Sequence, residues 1–396
     1  MAYNKKNMLE NIILLGSGVK FFGNAFIDEL FFLFFSVTNV EFKKINFFLV
    51  KNLLILYPAV ISLFYVMEIL SESHNYLHNV IYTLRTVINI IALFLLSASN
   101  SIEKLNFKNA TISAWLILGL NFLFCLIEII SKLLTETFDI QYIGTAFWQE
   151  FWVGVSYNAL LLAFSTIILL ANYPSYRNKL IIILANAFIA ILHHARLSSL
   201  FSYLMVFHEM KITNGKFLKK IFYLVLIPFL MIHFTLFFLG IDSSIIYYIS
   251  EYMLSSLQSL YYLFSFQISE IDPSRFDQFS SLWTYAKENT LSVLIGQGAG
   301  SSNYGLSHYI ASDSSGFLRP IGLVAFIYDY GFIWFTFTYY LFFKMVWVNF
   351  DRNSIPIFKF FPFFIFIISL VTNLNECIIL WILLFHYNTI IDQLKK

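Results

Sequence analysis

Residues Asn109–Ile130 read NATISAWLILGLNFLFCLIEII, an apolar run with one formal charge, Glu128, near its end. About 20 such residues span the ~30 Å hydrocarbon core as an α-helix, and a helix closes its backbone hydrogen bonds within itself. A membrane β-strand would instead alternate apolar and polar side chains over about ten positions. The same unbroken reading recurs along the chain. Of its 396 residues, 59% are hydrophobic and 12% charged, and 47 are Phe; soluble domains carry roughly 45–50% and about 25%. A water-soluble core has no room for that much apolar surface, so the solvent is lipid and the spans are helices.

Further spans are predicted near 8–24, 26–40, 46–68, 79–99, 148–171, 179–194, 196–209, 218–240, 321–343, 355–372 and 376–391. The fold class expected is therefore all-α, a polytopic integral membrane protein with about 12 transmembrane helices. Residues 1–240 form a membrane domain and 321–396 the C-terminal membrane helices, integrated with it into one domain. Lys5 and Lys6 before the first apolar stretch resemble a signal peptide. No small-residue cleavage site followed by a soluble domain appears, so that stretch is read as a retained helix. Cys125 and Cys377 sit inside apolar runs and read as buried thiols, without disulfide or metal spacing.

Loop charges orient the map. With the N-terminus cytoplasmic, Lys5 and Lys6, Lys43 and Lys44, Lys104 and Lys108, Lys219 and Lys220, and Lys395 and Lys396 all fall inside. The outside loop 71–78 has no Lys or Arg. Both termini are then cytoplasmic, and the one large loop, 241–320, lies outside. It carries Asp242, Glu251, Glu270, Asp272, Asp277, Glu288 and Asp313 against Arg275, Lys287 and Arg319. Within it, 245–266 reads as an interfacial helix. The stretch 274–290 reads as an amphipathic helix with Phe276, Phe279, Leu282, Trp283 and Ala286 on one side. No basic tract for nucleic acid is present, and no cluster has zinc or calcium ligand spacing.

The candidate chemistry lies at this outer face. In His193-His194-Ala195-Arg196, two short apolar runs flank ionisable groups, which are costly at membrane depth and commonly line a cavity. The alternative is a polar hairpin snorkelling to the headgroups. Arg275 opens the loop helix and is placed either to clamp a phosphate or to pair with Asp272 or Asp277. Gly296-Gln297-Gly298-Ala299-Gly300-Ser301-Ser302 lacks the Gly-Lys-Ser/Thr of a P-loop. It reads as a turn that lets the backbone approach a neighbour, or as an amide nest for phosphate. His308 is a base or pyrophosphate partner, or an unpaired surface histidine. Arg319 is a catalytic cation or an interface anchor. Arg85 snorkels outward, pairs with Glu72 or joins the site; Lys20, Asp28 and Glu29 read as packing or interface groups.

Three of these local patterns, in this order and with a large outer loop late in the chain, resemble the bacterial Wzy-type O-antigen and capsule polysaccharide polymerases and the related O-antigen ligases. They are Arg196-Leu197-Ser198-Ser199-Leu200; Ser274-Arg275 with an aromatic-rich helix, Trp283 and the Leu294–Gly300 run; and His308 to Gly316 followed by Tyr328-Asp329-Tyr330-Gly331-Phe332. The resemblance implies a GT-C-like architecture in the bacterial cytoplasmic membrane. It also implies metal-independent inverting glycosyl transfer, without cofactor, on undecaprenyl-pyrophosphate-linked oligosaccharide. Arg196, Arg275 and His308 would be catalytic, with His194, Arg319, Gly298, Gly300 and Arg85 binding substrate. A chain-length regulator and a flippase are the protein partners implied. Competing readings are an O-antigen ligase and a lipid-linked oligosaccharide flippase. A flippase should show cations spread through its spans and two comparable halves, whereas here the outer loop sits only before the last three spans.

Overall fold

The computed structural model describes residues 27–40, 49–71, 77–134, 154–173, 175–192, 273–302, 321–352, 356–371 and 378–395, with residues 10, 11, 14 and 45 besides. The described secondary structure is entirely helical. Helix α1 is Ile27–Asn39, α2 Val50–Ser71, α3 Leu77–Ala98, α4 Thr111–Leu134, α5 Gly154–Asn172 and α6 Tyr176–Leu192. Helix α7 is Pro273–Glu288, α8 Thr290–Ile295, α9 Gly322–Arg352, α10 Pro356–Val371 and α11 Ile378–Lys395. Two short 3-10 turns, Ile102–Lys104 and Phe107–Ala110, link α3 to α4.

Among the described residues, four helices are long and apolar enough to cross a membrane: Val50–Ser71, Val80–Ala98, Phe107–Ser131 and Gly322–Asp351. Asn158–Asn172 and Phe358–Leu370 are apolar but shorter. Along α9, Phe332, Ile333, Phe337, Tyr340, Phe343, Trp347 and Phe350 are exposed at helical spacing. A continuous apolar stripe of that length suits lipid rather than water. The chain is thus a helical membrane protein. Of the expected spans, 196–209 and 218–240 lie outside the described residues, and 8–24 is described only at Glu10, Asn11 and Leu14.

The core is built around α5 and α11. In α11 the residues from Ile378 to Leu384 are all buried, and Tyr387, Ile390, Ile391 and Leu394 continue the burial. A helix apolar on every side belongs at the centre of a bundle, and α11 packs on α3, α5 and α9. Aromatic rings fill the α9–α11 seam: Trp334 lies 5.1 Å from Trp381 and 4.9 Å from Tyr330 between centroids. Cys125 is buried, as expected; Cys377 lies outside the described residues.

Two of the described helices carry an internal proline, and each is repaired the same way. Proline has no N–H, so the carbonyl four residues earlier loses its partner. Pro58 in α2 frees the carbonyl of Leu54, which accepts the indole N–H of Trp334 at 3.0 Å. Pro362 in α10 frees the carbonyl of Phe358, which accepts the hydroxyl of Tyr387 at 3.0 Å. Where no water competes, an orphan carbonyl must find its donor in protein. These two bonds tie α2 to α9 and α10 to α11.

Candidate functional site

The glycine run 296–302 follows α8 and inserts among α2, α3 and α9. Its seat begins with a break. Gly331 has φ +84°, inside what is otherwise one helix, α9. The carbonyls of the turn before it, Tyr328 and Asp329, accept the amides of Gln297 (3.1 Å) and Gly298 (2.7 Å). The two backbones cross at Gly296 and Gly331. A Cβ on Gly296 would stand 2.6 Å from the amide nitrogen of Gly331, and one on Gly331 would collide with the backbone of Leu294 and Ile295. Only glycine permits that approach and the positive φ together.

The rest of the run is held by side chains. Ser62 Oγ on α2 accepts the amide of Ala299 at 2.9 Å, and Thr83 Oγ1 on α3 donates to its carbonyl at 2.7 Å. Asp329, fully buried, accepts the amide of Gly300 (3.1 Å), the amide of Ser302 (2.8 Å) and the hydroxyl of Ser301 (3.1 Å). Three donors converging on one carboxylate fix the backbone of the run in place. Gly298 lies against Tyr65 of α2 and Gly300 against the ring of Tyr82 on α3, so a Cβ at either position would meet them at 2.5 and 2.6 Å. At 1.5 Å per residue, Ser62 is ~13 Å from the Ser71 end of α2 and Thr83 ~9 Å from the Leu77 end of α3. Non-helical backbone at that depth persists only when every amide is satisfied by protein. Of the two sequence readings for the run, the geometry is that of close backbone approach. The amides of Gly298 and Gly300 are spent on Asp329.

The loop helix α7 buries Gln278, Ser281, Leu282 and Tyr285. Of the apolar residues read on one side of the helix, Leu282 is buried while Phe279 and Trp283 are 37% and 66% exposed, so that side only partly coincides with the packed face. Gln278 Oε1 accepts the amide of Ile321 at 2.8 Å, the Tyr285 ring lies 4.7 Å from that of Tyr328, and Gln297 donates to the Tyr285 hydroxyl at 2.8 Å. These contacts fix α7 and α8 against the start of α9.

Arg85 does not snorkel, and Glu72, the partner read from the sequence, lies outside the described residues. Arg85 is buried and donates through Nε (2.7 Å) and Nη2 (2.6 Å) to a single oxygen, Oε1, of Glu29 on α1. The pair lies two residues along α3 from the Thr83 contact, so α1 is fastened beside the loop seat. Arg275 is on the first turn of α7, and its side chain lies outside the described residues, as do Arg196, His194, His308 and Arg319. The structure therefore brings together Gly298, Gly300 and the Tyr328–Phe332 run, with Arg85 nearby. Sequence reading missed Ser62 and Thr83, which look like ordinary helix residues, and named Asp329 only as part of a motif. The signal available for Asp329 was a carboxylate inside an apolar run.

No family model, curated protein or solved structure matches the chain. What fold and seat together define is a helical membrane protein whose glycine loop is pinned into its helices by a buried carboxylate.

Proposed function

We propose that the protein polymerises undecaprenyl-pyrophosphate-linked oligosaccharide repeat units into surface polysaccharide, at the outer face of the bacterial cytoplasmic membrane, by metal-independent inverting glycosyl transfer. In this reading about twelve spans with cytoplasmic termini build a GT-C-like architecture, and residues 241–320 cover a membrane-edge cavity. The observation that supports it most is the seat of Asp329. The Leu294–Gly300 run and the Tyr328–Phe332 run, separate in sequence and each similar to a polymerase element, are packed on one another through that carboxylate. Pinning one end of the outer segment to the bundle gives a lipid-linked substrate a defined edge to approach.

The chemistry follows from the leaving group. Departure of a pyrophosphate without a metal needs preorganised cations, and Arg196, Arg275 and Arg319 are the outward arginines for it. His308 or His194 engages the acceptor hydroxyl, and Arg85, Gly298 and Gly300 shape the wall. The test is polysaccharide extracted from a deletion strain complemented with unaltered protein, Arg196→Ala or Arg275→Ala and resolved by gel. Caps of a single repeat are expected from the deletion and from both variants. Full-length polymer from both variants overturns the mechanism. Free lipid-linked polymer in the deletion strain would indicate a ligase, and loss of all outward product a flippase.

A further inference from the structure

At the other end of α2 and α3 lies a second connected set of buried groups. Lys51 Nζ is 3.2 Å from His386 Nδ1; His386 Nε2 is 3.2 Å from Ser97 Oγ; and the Ser97 hydroxyl donates to Asn52 Oδ1 at 3.2 Å. Asn52 is ten residues from Ser62 and Ser97 fourteen from Thr83, so this set sits ~15–20 Å from the loop seat along the same two helices. His386 is 3% exposed and Asn52 3%.

The bonds in this chain run in one direction. A serine hydroxyl has one proton, and that of Ser97 goes to Asn52. Ser97 Oγ therefore accepts from His386, which places the imidazole proton on Nε2. Nδ1 then offers its lone pair, and the ammonium of Lys51 donates to it. Every donor points the same way, from Lys51 through His386 and Ser97 to Asn52. The arrangement exists only while His386 is neutral. An imidazolium would turn Nδ1 into a second donor facing a cation at hydrogen-bond distance.

We propose that the Lys51–His386–Ser97–Asn52 chain is an acid-releasable latch that fastens α11 to the α2–α3 hairpin. Among the described residues the charge acting on His386 is that of Lys51, from α2. The charge acting on Lys51 is that of Glu103, in the 3-10 turn after α3. The carboxylate of Glu103 attracts the ammonium of Lys51, and among the described residues no carboxylate acts on the imidazole. Protonation of His386 therefore expels Lys51 and breaks the contact that joins three helices. The trigger is acid: as the pH falls below about 6.5 an imidazole in the unfolded chain takes up a proton that His386 can accept only by expelling Lys51, so the latched state loses stability.

The experiment uses the full-length protein in lipid nanodiscs, with thermal unfolding followed between about pH 8 and about pH 5. The unaltered protein is expected to lose at least about 3 °C more in Tm on acidification than His386→Gln, whose amide keeps both hydrogen bonds but cannot take a proton. Lys51→Met, which removes the repelled cation, should shrink that extra loss by half or more. Nitrogen NMR on histidine-labelled protein, with the His386 signal assigned by its loss in His386→Gln, should show the neutral Nε2–H tautomer at the upper pH. Parallel Tm profiles for the unaltered protein and His386→Gln overturn the proposal, as does an Nδ1–H tautomer or an imidazolium at the upper pH. If His386→Gln does not fold, the Lys51→Met profile and the tautomer decide.

Discussion

Removing the Tyr387 hydroxyl should cost stability only because residue 362 is proline. The Tyr387 hydroxyl caps the Phe358 carbonyl, both residues are nearly fully buried, and the Tyr387 ring lies 6.0 Å from that of Phe361. Tyr387→Phe keeps the ring and its packing and deletes the donor alone. Leaving a buried carbonyl unpaired costs ~1–3 kcal/mol. Measured interhelical bonds in membranes average nearer ~0.6 kcal/mol, since the unfolded state in the bilayer also finds partners. An expected loss of about 1–2 kcal/mol follows. Pro362→Ala restores the amide that a helix normally sends to the carbonyl of Phe358, so the same Tyr387→Phe change should then cost less than ~0.5 kcal/mol. Reversible unfolding of the four proteins in mixed micelles supplies the cycle. A coupling energy of about 1 kcal/mol is expected. Equal losses in the two backgrounds, within ~0.3 kcal/mol, would refute the assignment of Tyr387 as the cap.

Two further outcomes test the loop seat and its neighbour. Gly331→Ala puts a Cβ into the backbone of Leu294 and Ile295 at φ +84° and should lower folded yield and Tm sharply, whereas Gly119→Ala, with nothing within 4 Å, should raise stability by up to about 1 kcal/mol; similar Tm values for the two variants would contradict the crossing. Breaking the Glu29–Arg85 pair from either side, by Glu29→Gln or Arg85→Met, should cost about 3–5 kcal/mol, while the double change to Met at both positions should come within ~1 kcal/mol of the unaltered protein, as read by the same unfolding assay.

Apolar run length was enough to locate the helices. The stretches read at 46–68, 79–99, 109–130 and 355–372 correspond to Val50–Ser71, Leu77–Ala98, Thr111–Leu134 and Pro356–Val371. The run read at 321–343 continues to Arg352, because Lys344 and Asp351 cut the hydropathy without interrupting the helix. Which face packs was legible only in part. In α7 the polar Gln278 and Ser281 turn inward to meet the start of α9 while Trp283 turns outward, the reverse of what a water-soluble amphipathic helix teaches. Long-range pairing was equally hidden. Arg85 meets Glu29 from 56 positions away, because α1 packs on α3. Lys51 and His386 are 335 positions apart, and only the presence of an ionisable residue inside each apolar run marked them.

The features that were not legible share one cause, and it makes them interpretable after the fact. In water a proline, a helix break or a glycine turn is tolerated because solvent takes the freed backbone groups; in lipid each must be matched by a specific donor or acceptor elsewhere in the chain. Pro58 calls for Trp334, Pro362 for Tyr387, and the break at Gly331 for the amides of Gln297 and Gly298. The glycine loop in turn calls for Ser62, Thr83 and Asp329. Each irregularity therefore fixes a long-range contact, and the contacts fall between elements that hydropathy treats as independent spans. The loop that carries the proposed chemistry is held by the largest set of them. Its position on the bundle is consequently a property of the membrane helices, and changes at Ser62 or Thr83 should move it as surely as changes in the loop itself.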